Sequence, residues 1–120
     1  MNFNDFYWHD SIIESIYIDR SDPGIKDEMQ FKIKSIEEKN YTLIFKNVYW
    51  SSLNLNFGII AQESILDAII LDDNDRDLIN FYSSWKGLMD KIKLTVFLIK
   101  MNSTGSIIKI IAEKYEFVEK

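Results

Sequence analysis

The chain has 120 residues, of which 47% are hydrophobic, and 19 acidic against 14 basic residues give it a formal net charge of -5. This composition is typical of a folded protein and excludes a disordered tail, and the acid excess argues against nucleic acid as a partner, because phosphates attract lysine and arginine. The absence of cysteine excludes disulfides, thiolate nucleophiles and cysteine-ligated zinc sites.

No apolar run approaches the ~20 residues that a membrane-spanning helix needs. Residues 1–5 also lack the basic and apolar regions of a signal peptide. We therefore expect a cytoplasmic protein with no membrane association. The length fits one domain over residues 1–120, and neither an internal repeat nor a linker-like tract divides it.

The first half of the chain predicts a four-stranded meander. Ser11 to Asp19 is rich in β-branched residues and is followed by a turn at Ser21-Asp22-Pro23-Gly24. Asp27 to Ser35 alternates apolar and polar residues, which indicates a strand with one face in water. Tyr41 to Trp50 has apolar residues on both faces and is expected in the centre of the sheet. Leu53 to Ile59 alternates strictly and predicts another half-buried strand.

The middle of the chain changes period. Ser64 is positioned to cap a short helix over Ile65 to Ile70, although a strand is the alternative. A second helix is expected to begin near Asp75 and Asp77, since acidic residues favour a helix N-terminus. Its apolar stripe should pack on the sheet and consists of Leu78, Phe81, Tyr82, Trp85 and Met89.

The end of the chain returns to strands. Residues 91–98 alternate, Asn102 to Ser106 has turn composition, and Ile107 to Val118 is again apolar and β-branched, which predicts a hairpin. The fold class expected is therefore α+β, mainly an antiparallel sheet of about six strands, a meander plus a C-terminal hairpin, with one or two helices packed on it.

No segment carries a catalytic motif. The single histidine, His9, precedes Asp10, but neighbours on an extended chain point to opposite sides, so we expect a structural histidine hydrogen-bonded near the sheet edge. Scattered carboxylates follow no spacing that pairs them as acid and base. We expect no catalytic residue, and the protein is interpreted as a non-enzyme.

Two further segments resemble ligand sites only in part. Asp73, Asp75 and Asp77 have the spacing of a calcium loop, but Leu78 stands where glycine is needed and Ser84 where the bidentate glutamate should be. Ser103-Thr104-Gly105-Ser106 has small residues but no phosphate-loop pattern. A solvated loop and a turn are the interpretations, and we expect neither a metal nor a cofactor.

Aromatic residues make up 14% of the chain, and most must fill the core. Adjacent strand residues face opposite ways, so one ring of Tyr49-Trp50 must leave the buried face. Together with the acidic loop they form the predicted partner-binding residues: Tyr49, Trp50, Asp72, Asp73, Asp75 and Asp77.

Three segments carry a resemblance: Tyr7-Trp8-His9-Asp10-Ser11 running into Ile16 to Asp19, Asn54-Leu55-Asn56-Phe57-Gly58, and Ser103-Thr104-Gly105-Ser106 running into Ile107 to Ile110. Together they are similar to a group of small uncharacterised bacterial proteins with a Trp-His-Asp opening, in the style of immunity proteins of polymorphic toxin systems. The resemblance implies an interaction protein that neutralises a toxin by covering its active site or substrate path.

Three functions stay open at this point. The first is a protein-binding domain, an immunity protein among the options, whose acidic surface attracts a basic toxin. The second is a small-ligand carrier or an enzyme with a pocket between helix and sheet. The third is a homodimer formed through a sheet edge.

Overall fold

The computed structural model describes residues 2–120. They form one antiparallel sheet of six strands, a 3-10 turn at Phe3–Asp5 and one α-helix. The elements in chain order are β1 (Ile12–Ile18), β2 (Glu28–Lys34), β3 (Asn40–Asn54), β4 (Ile65–Leu71), α1 (Arg76–Ser84), β5 (Thr95–Met101) and β6 (Ile107–Glu119). The α+β prediction is confirmed. Within residues 2–120, no helix has the length and apolarity to cross a bilayer.

The strand order is β1-β2-β3-β6-β5-β4. A meander (β1 to β3) and a hairpin (β5 and β6) are joined through β3 and β6, which pair from Tyr41 opposite Glu119 to Asn54 opposite Ile107. The two longest strands therefore lie at the centre, as the apolar faces of Tyr41 to Trp50 predict. The connection between meander and hairpin leaves β1 and β4 as the edge strands.

The sheet is so curved that its two edge strands meet at one end. Ile12 and Ser64 form a single β-bridge. The backbone N–H of Ile13 donates to the Glu63 carbonyl at 2.9 Å, and that of Ile65 donates to the Ser11 carbonyl at 2.8 Å. Beyond this contact the edges diverge, and no strand among residues 2–120 pairs with the outer edge of β1 from Glu14 to Ile18.

The concave face of the sheet is filled by the N-terminal segment. Phe3, Phe6 and Trp8 are buried there. The Phe3 ring centroid lies 5.1 Å from that of Phe97, and the Phe6 ring stacks on Phe117 at 5.1 Å. The Trp8 indole N–H donates to the Phe3 carbonyl at 2.8 Å, which satisfies its polar atom inside the core. The Trp-His-Asp opening thus begins with a core residue.

The convex face carries a smaller core under α1. Leu78 of the helix is buried against Leu94, Val96 and Ile111, and Phe81 and Tyr82 pack against the same core, so the predicted packing of the apolar stripe is confirmed for these three residues. It is wrong for Trp85, which is 45% exposed, and Met89 is not part of this core either. The helix ends at Ser84, before the predicted Met89, and the chain turns through positive φ values at Lys86 and Gly87.

Two predicted elements are wrong. Leu53 to Ile59 is not a separate strand, because Leu53 and Asn54 complete β3 and the following residues pair with no strand. The helix proposed from Ser64 is instead β4, as the alternative had it. A bulge between Ile65 and Asp67 turns Ile65 and Ala68, three residues apart, toward the same core, which imitates a helical period.

Candidate functional site

The connection between β3 and β4, residues 55–64, is here called the apolar loop. At its tip the Phe57 side chain is 86% exposed, Ile60 is fully exposed, and Ile59 is about half exposed. Gly58 adopts φ +85°, which allows the chain to reverse between these side chains. A group of large apolar side chains exposed together is the usual mark of an interaction surface.

The base of the apolar loop is fixed by hydrogen bonds to the turn between β5 and β6. The Asn56 side-chain amide donates to the Thr104 carbonyl at 2.9 Å, and the Asn56 backbone N–H donates to the buried Ser106 hydroxyl at 2.9 Å. At the other end, the Ser64 backbone N–H donates to the Ser103 hydroxyl at 3.1 Å. Each such bond contributes about 0.5–1.5 kcal/mol net. The loop therefore presents its apolar tip from a fixed base.

A groove of about 360 Å³ separates the apolar loop from the outer edge of β1. We call it the edge groove. Its apolar lining includes Ile13, Ile16 and Leu55, and its charged lining residues, Glu14 and Glu63, are both acidic. The edge groove thus combines an apolar floor, a negative rim and an unpaired strand edge.

The predicted acidic loop contains charges that are already paired. Asp75 caps α1 by accepting the Leu78 backbone N–H at 3.1 Å. The Lys109 ammonium on β6 donates to Asp75 at 2.7 Å and also to Asp77. Asp75 and Lys109 are only 11% and 18% exposed. We call Lys109, Asp75 and Asp77 the lysine clamp, since they attach the N-terminus of α1 to the sheet.

The clamp shifts the ionisation of its members. Burial alone would raise the pKa of Asp75, but the hydrogen bonds from Lys109 and from the Leu78 N–H outweigh it and lower that pKa. Burial alone would lower the pKa of Lys109, and its bonds to the two aspartates reverse this and raise it. Both groups therefore stay charged across the neutral range.

The remaining predicted residues flank the same helix. Asp73 pairs with Lys93 at 3.2 Å in an exposed bridge, and Asp72 is exposed. Tyr49 is 37% exposed and its ring lies 5.9 Å from Phe81 of α1. Burial, followed by the carboxylate of Glu113, raises the pKa of Tyr49.

The Tyr49-Trp50 pair sits at a distortion of β3. Trp50 packs against the convex core, and the strand is bulged between Val48 and Trp50. Asn47, just before the bulge, has a positive φ of 53°, a conformation that asparagine tolerates. Tyr49 is therefore the more available ring, and Trp50 mainly fills the interface beneath α1.

His9 lies at the edge of the sheet, as expected, but the expectation that it points away from Asp10 is wrong, because residues 9 and 10 form a turn with a positive φ at Asp10. Its Nδ1 donates to the Leu66 carbonyl of β4 at 3.0 Å, and its Nε2 is 3.6 Å from the Asp10 carboxylate, with both side chains exposed. The Ser11 hydroxyl is buried and donates to the Tyr7 carbonyl. Across residues 2–120, no group of three or more histidine, aspartate and glutamate side chains is placed to hold a metal.

A cleft of about 490 Å³ lies between α1 and the segment leading into β5. Its one aromatic lining residue is Tyr82, whose hydroxyl donates to the Ile92 carbonyl at 2.6 Å and accepts the Leu94 N–H at 3.1 Å. The Tyr82 hydroxyl is therefore engaged within the protein, and the other polar lining residues are the charged Asp73, Asp90, Lys91 and Lys93.

Sequence reasoning placed the contact residues around α1 and missed Phe57 and Ile60. The available signal was Gly58, since a glycine inside an apparently regular strand often marks a break in it. Two of the segments that carry the resemblance, Asn54 to Gly58 and Ser103 to Ser106, are brought into hydrogen-bonded contact. No protein-family model matches the sequence, and a comparison with curated proteins finds no match either.

Proposed function

We propose that the chain is a non-enzymatic protein-binding domain that acts in the bacterial cytoplasm as a toxin-neutralising immunity protein. The observation that carries this proposal is the exposure of Phe57 and Ile60 on a loop whose base is hydrogen-bonded. Removing a large apolar side chain from water contributes roughly 1.5–3 kcal/mol, and a few such anchors dominate most interfaces.

Charge supports a basic partner. The net charge of -5 and the acidic rim of the edge groove favour encounter with a positively charged surface. The face around α1, with Tyr49 and Asp72 to Asp77, is a secondary contact surface in this proposal. It ranks second because Asp75 and Asp77 already pair with Lys109.

The alternative is a small-ligand protein or enzyme that uses the cleft beside α1. Its volume of about 490 Å³ suits a small molecule. The internal hydrogen bonds of the Tyr82 hydroxyl favour the protein-binding proposal over this alternative.

The test is co-expression with the product of the gene immediately upstream, followed by purification at low salt. We expect a stable one-to-one complex. Replacing the two tip residues, Phe57→Ser with Ile60→Ser, should weaken it at least tenfold, since interface anchors typically contribute 2 kcal/mol or more. Titration calorimetry of the purified pair measures the difference.

Leu88→Ser is the matched control. Leu88 is 81% exposed, close to the 86% of Phe57, but it lies in the segment after α1 and outside the apolar loop. It should leave the affinity unchanged. If the chain forms no complex with the upstream product, the immunity proposal is wrong. If Leu88→Ser weakens the complex and Phe57→Ser does not, the apolar loop is not the contact surface.

A further inference from the structure

The outer edge of β1 is an open strand edge beside the apolar loop. β1 pairs with β2 along one side, and its other side meets the end of the apolar loop only at Ile12 and Ile13, which contact Ser64 and Glu63. From Glu14 to Ile18 the strand is exposed or half exposed. An unpaired edge offers backbone N–H and C=O groups to an incoming chain, so it is a template for one more strand.

The edge groove lies beside this strand edge and can select the side chains of an added strand. Alternate side chains of an added strand point to opposite faces, so every second one is directed to the same side. Ile13, Ile16 and Leu55 give one side an apolar floor, while Glu14 and Glu63 supply negative charge at the rim. An extended segment with alternating apolar and basic residues matches both features.

We infer that the partner adds an extended segment to the edge of β1, with its apolar side chains in the edge groove and its lysine or arginine side chains at Glu14 and Glu63. This inference rests on the protein-binding function proposed above and names the chemistry of the partner. It makes Glu14 and Glu63 specificity residues, and Phe57 and Ile60 the apolar wall beside the added strand.

A second copy of this chain fits the edge poorly. Pairing β1 with β1 would bring the acidic rims of two edge grooves together, and like charges opposite each other destabilise a strand pair. The bulge between Ile13 and Ser15 also interrupts the regular ladder that a symmetric pair would continue. Charge complementarity therefore selects a basic partner over self-association.

The experiment uses the full ¹⁵N-labelled chain and three ten-residue peptides. One alternates lysine with valine and isoleucine, one has glutamate in place of lysine, and one is the basic peptide with alternate backbone nitrogens methylated. We expect the basic peptide to shift the amide resonances of residues 13–18 and 55–63. It should bind at least tenfold more tightly than the acidic peptide, and methylation should abolish the shifts because it removes strand pairing.

Matched charge variants locate the effect. Glu14→Lys should weaken binding of the basic peptide at least fivefold, and Glu14→Gln about two- to fivefold, the size of one exposed ion pair. Asp90→Lys makes the same charge change in the exposed segment after α1 and should have little effect. A basic peptide that at 1 mM shifts no residue of β1, or binds equally well when methylated, overturns the inference.

The two proposals fail separately. If the upstream product co-purifies and Glu14→Lys leaves that complex intact, with no peptide shift in β1, the edge inference is wrong and the protein-binding function stands. If the basic peptide pairs with β1 and the upstream product does not bind, the immunity proposal is wrong and the edge is still a strand-binding site.

Discussion

The apolar loop and the segment from Asp72 to Leu94 are both connections that lead to or from β4, and they expose large apolar side chains in different ways. Leu88 is exposed in a segment whose helical residue Leu78 is buried against the sheet. Phe57 and Ile60 are exposed at the tip of a loop whose Leu55 packs against the main core. Both connections therefore pack one residue against a core, but the apolar loop exposes two large apolar side chains together at its tip, whereas the segment after α1 exposes Leu88.

The two connections are also held by different forces. Neutral hydrogen bonds that Asn56 donates to Ser106 and Thr104 fix the apolar loop, whereas the lysine clamp and apolar packing fix α1. Neutral bonds keep their strength as pH changes, while ion pairs need both partners charged. The shape of the apolar loop is therefore fixed by bonds that do not depend on charge, whereas α1 covers the sheet and is attached to it by ion pairs.

The largest expected effect comes from removing the helix anchor. Leu78→Ala should lower the free energy of unfolding by about 2–5 kcal/mol, because a buried leucine loses its apolar contacts and leaves a cavity. Urea denaturation measures this. Leu88→Ala and Phe57→Ala, both at exposed sites, should each change stability by less than about 0.5 kcal/mol. A large loss from Phe57→Ala would show that the apolar loop is structural.

The sequence predicted well where one local pattern decides the structure. In β2, Met29, Phe31 and Ile33 are all buried, as their alternation indicates. Asp75 stands at the helix N-terminus because its carboxylate can reach the Leu78 N–H locally. Such features depend on neighbours within four residues, so the sequence displays them directly.

Prediction from the sequence was wrong where a residue distant in the chain determines the local structure. The alternation of residues 55–59 is real, but no strand lies beside them, and Asn56 bonds to the turn at Thr104 and Ser106 instead. From the sequence, Asp75 and Asp77 were predicted to be exposed charges, because nothing in the local sequence shows that Lys109 pairs with them in the folded chain. The closure of Ile12 on Ser64 likewise follows from sheet curvature, which no local spacing encodes.

A smaller effect should follow from loosening the apolar loop. Ser106→Ala removes the buried hydroxyl that accepts the Asn56 N–H, and should cost about 1–2 kcal/mol of stability because a backbone donor loses its partner. Hydrogen exchange should quicken at Asn56 and its neighbours, and stay unchanged at Leu78. Affinity for the partner should fall although no contact residue has changed. Unchanged exchange at Asn56 would show that the loop keeps its shape without this bond.

The smallest expected effect is a pH dependence confined to the helix. The folded pKa of Asp75 lies below its ordinary 3.8, so the clamp contributes fully above that pH and is lost as pH falls through the folded value. The folded pKa of Lys109 lies above its ordinary 10.5, so the contribution is present below that pH and is lost as pH rises through the folded value. The clamp should therefore stabilise α1 between about pH 4 and 10.

Comparison with Lys109→Met isolates this contribution, since the other titrating groups cancel in the difference. The variant should be less stable than the natural chain by on the order of 1 kcal/mol at pH 7, because Asp77 is 40% exposed and solvent screens part of the interaction. Urea titrations at pH 3, 7 and 11 should show the difference shrinking at both extremes. A difference that stays constant over this range would mean that Lys109 acts through its aliphatic packing, and both connections would then be held by forces independent of charge.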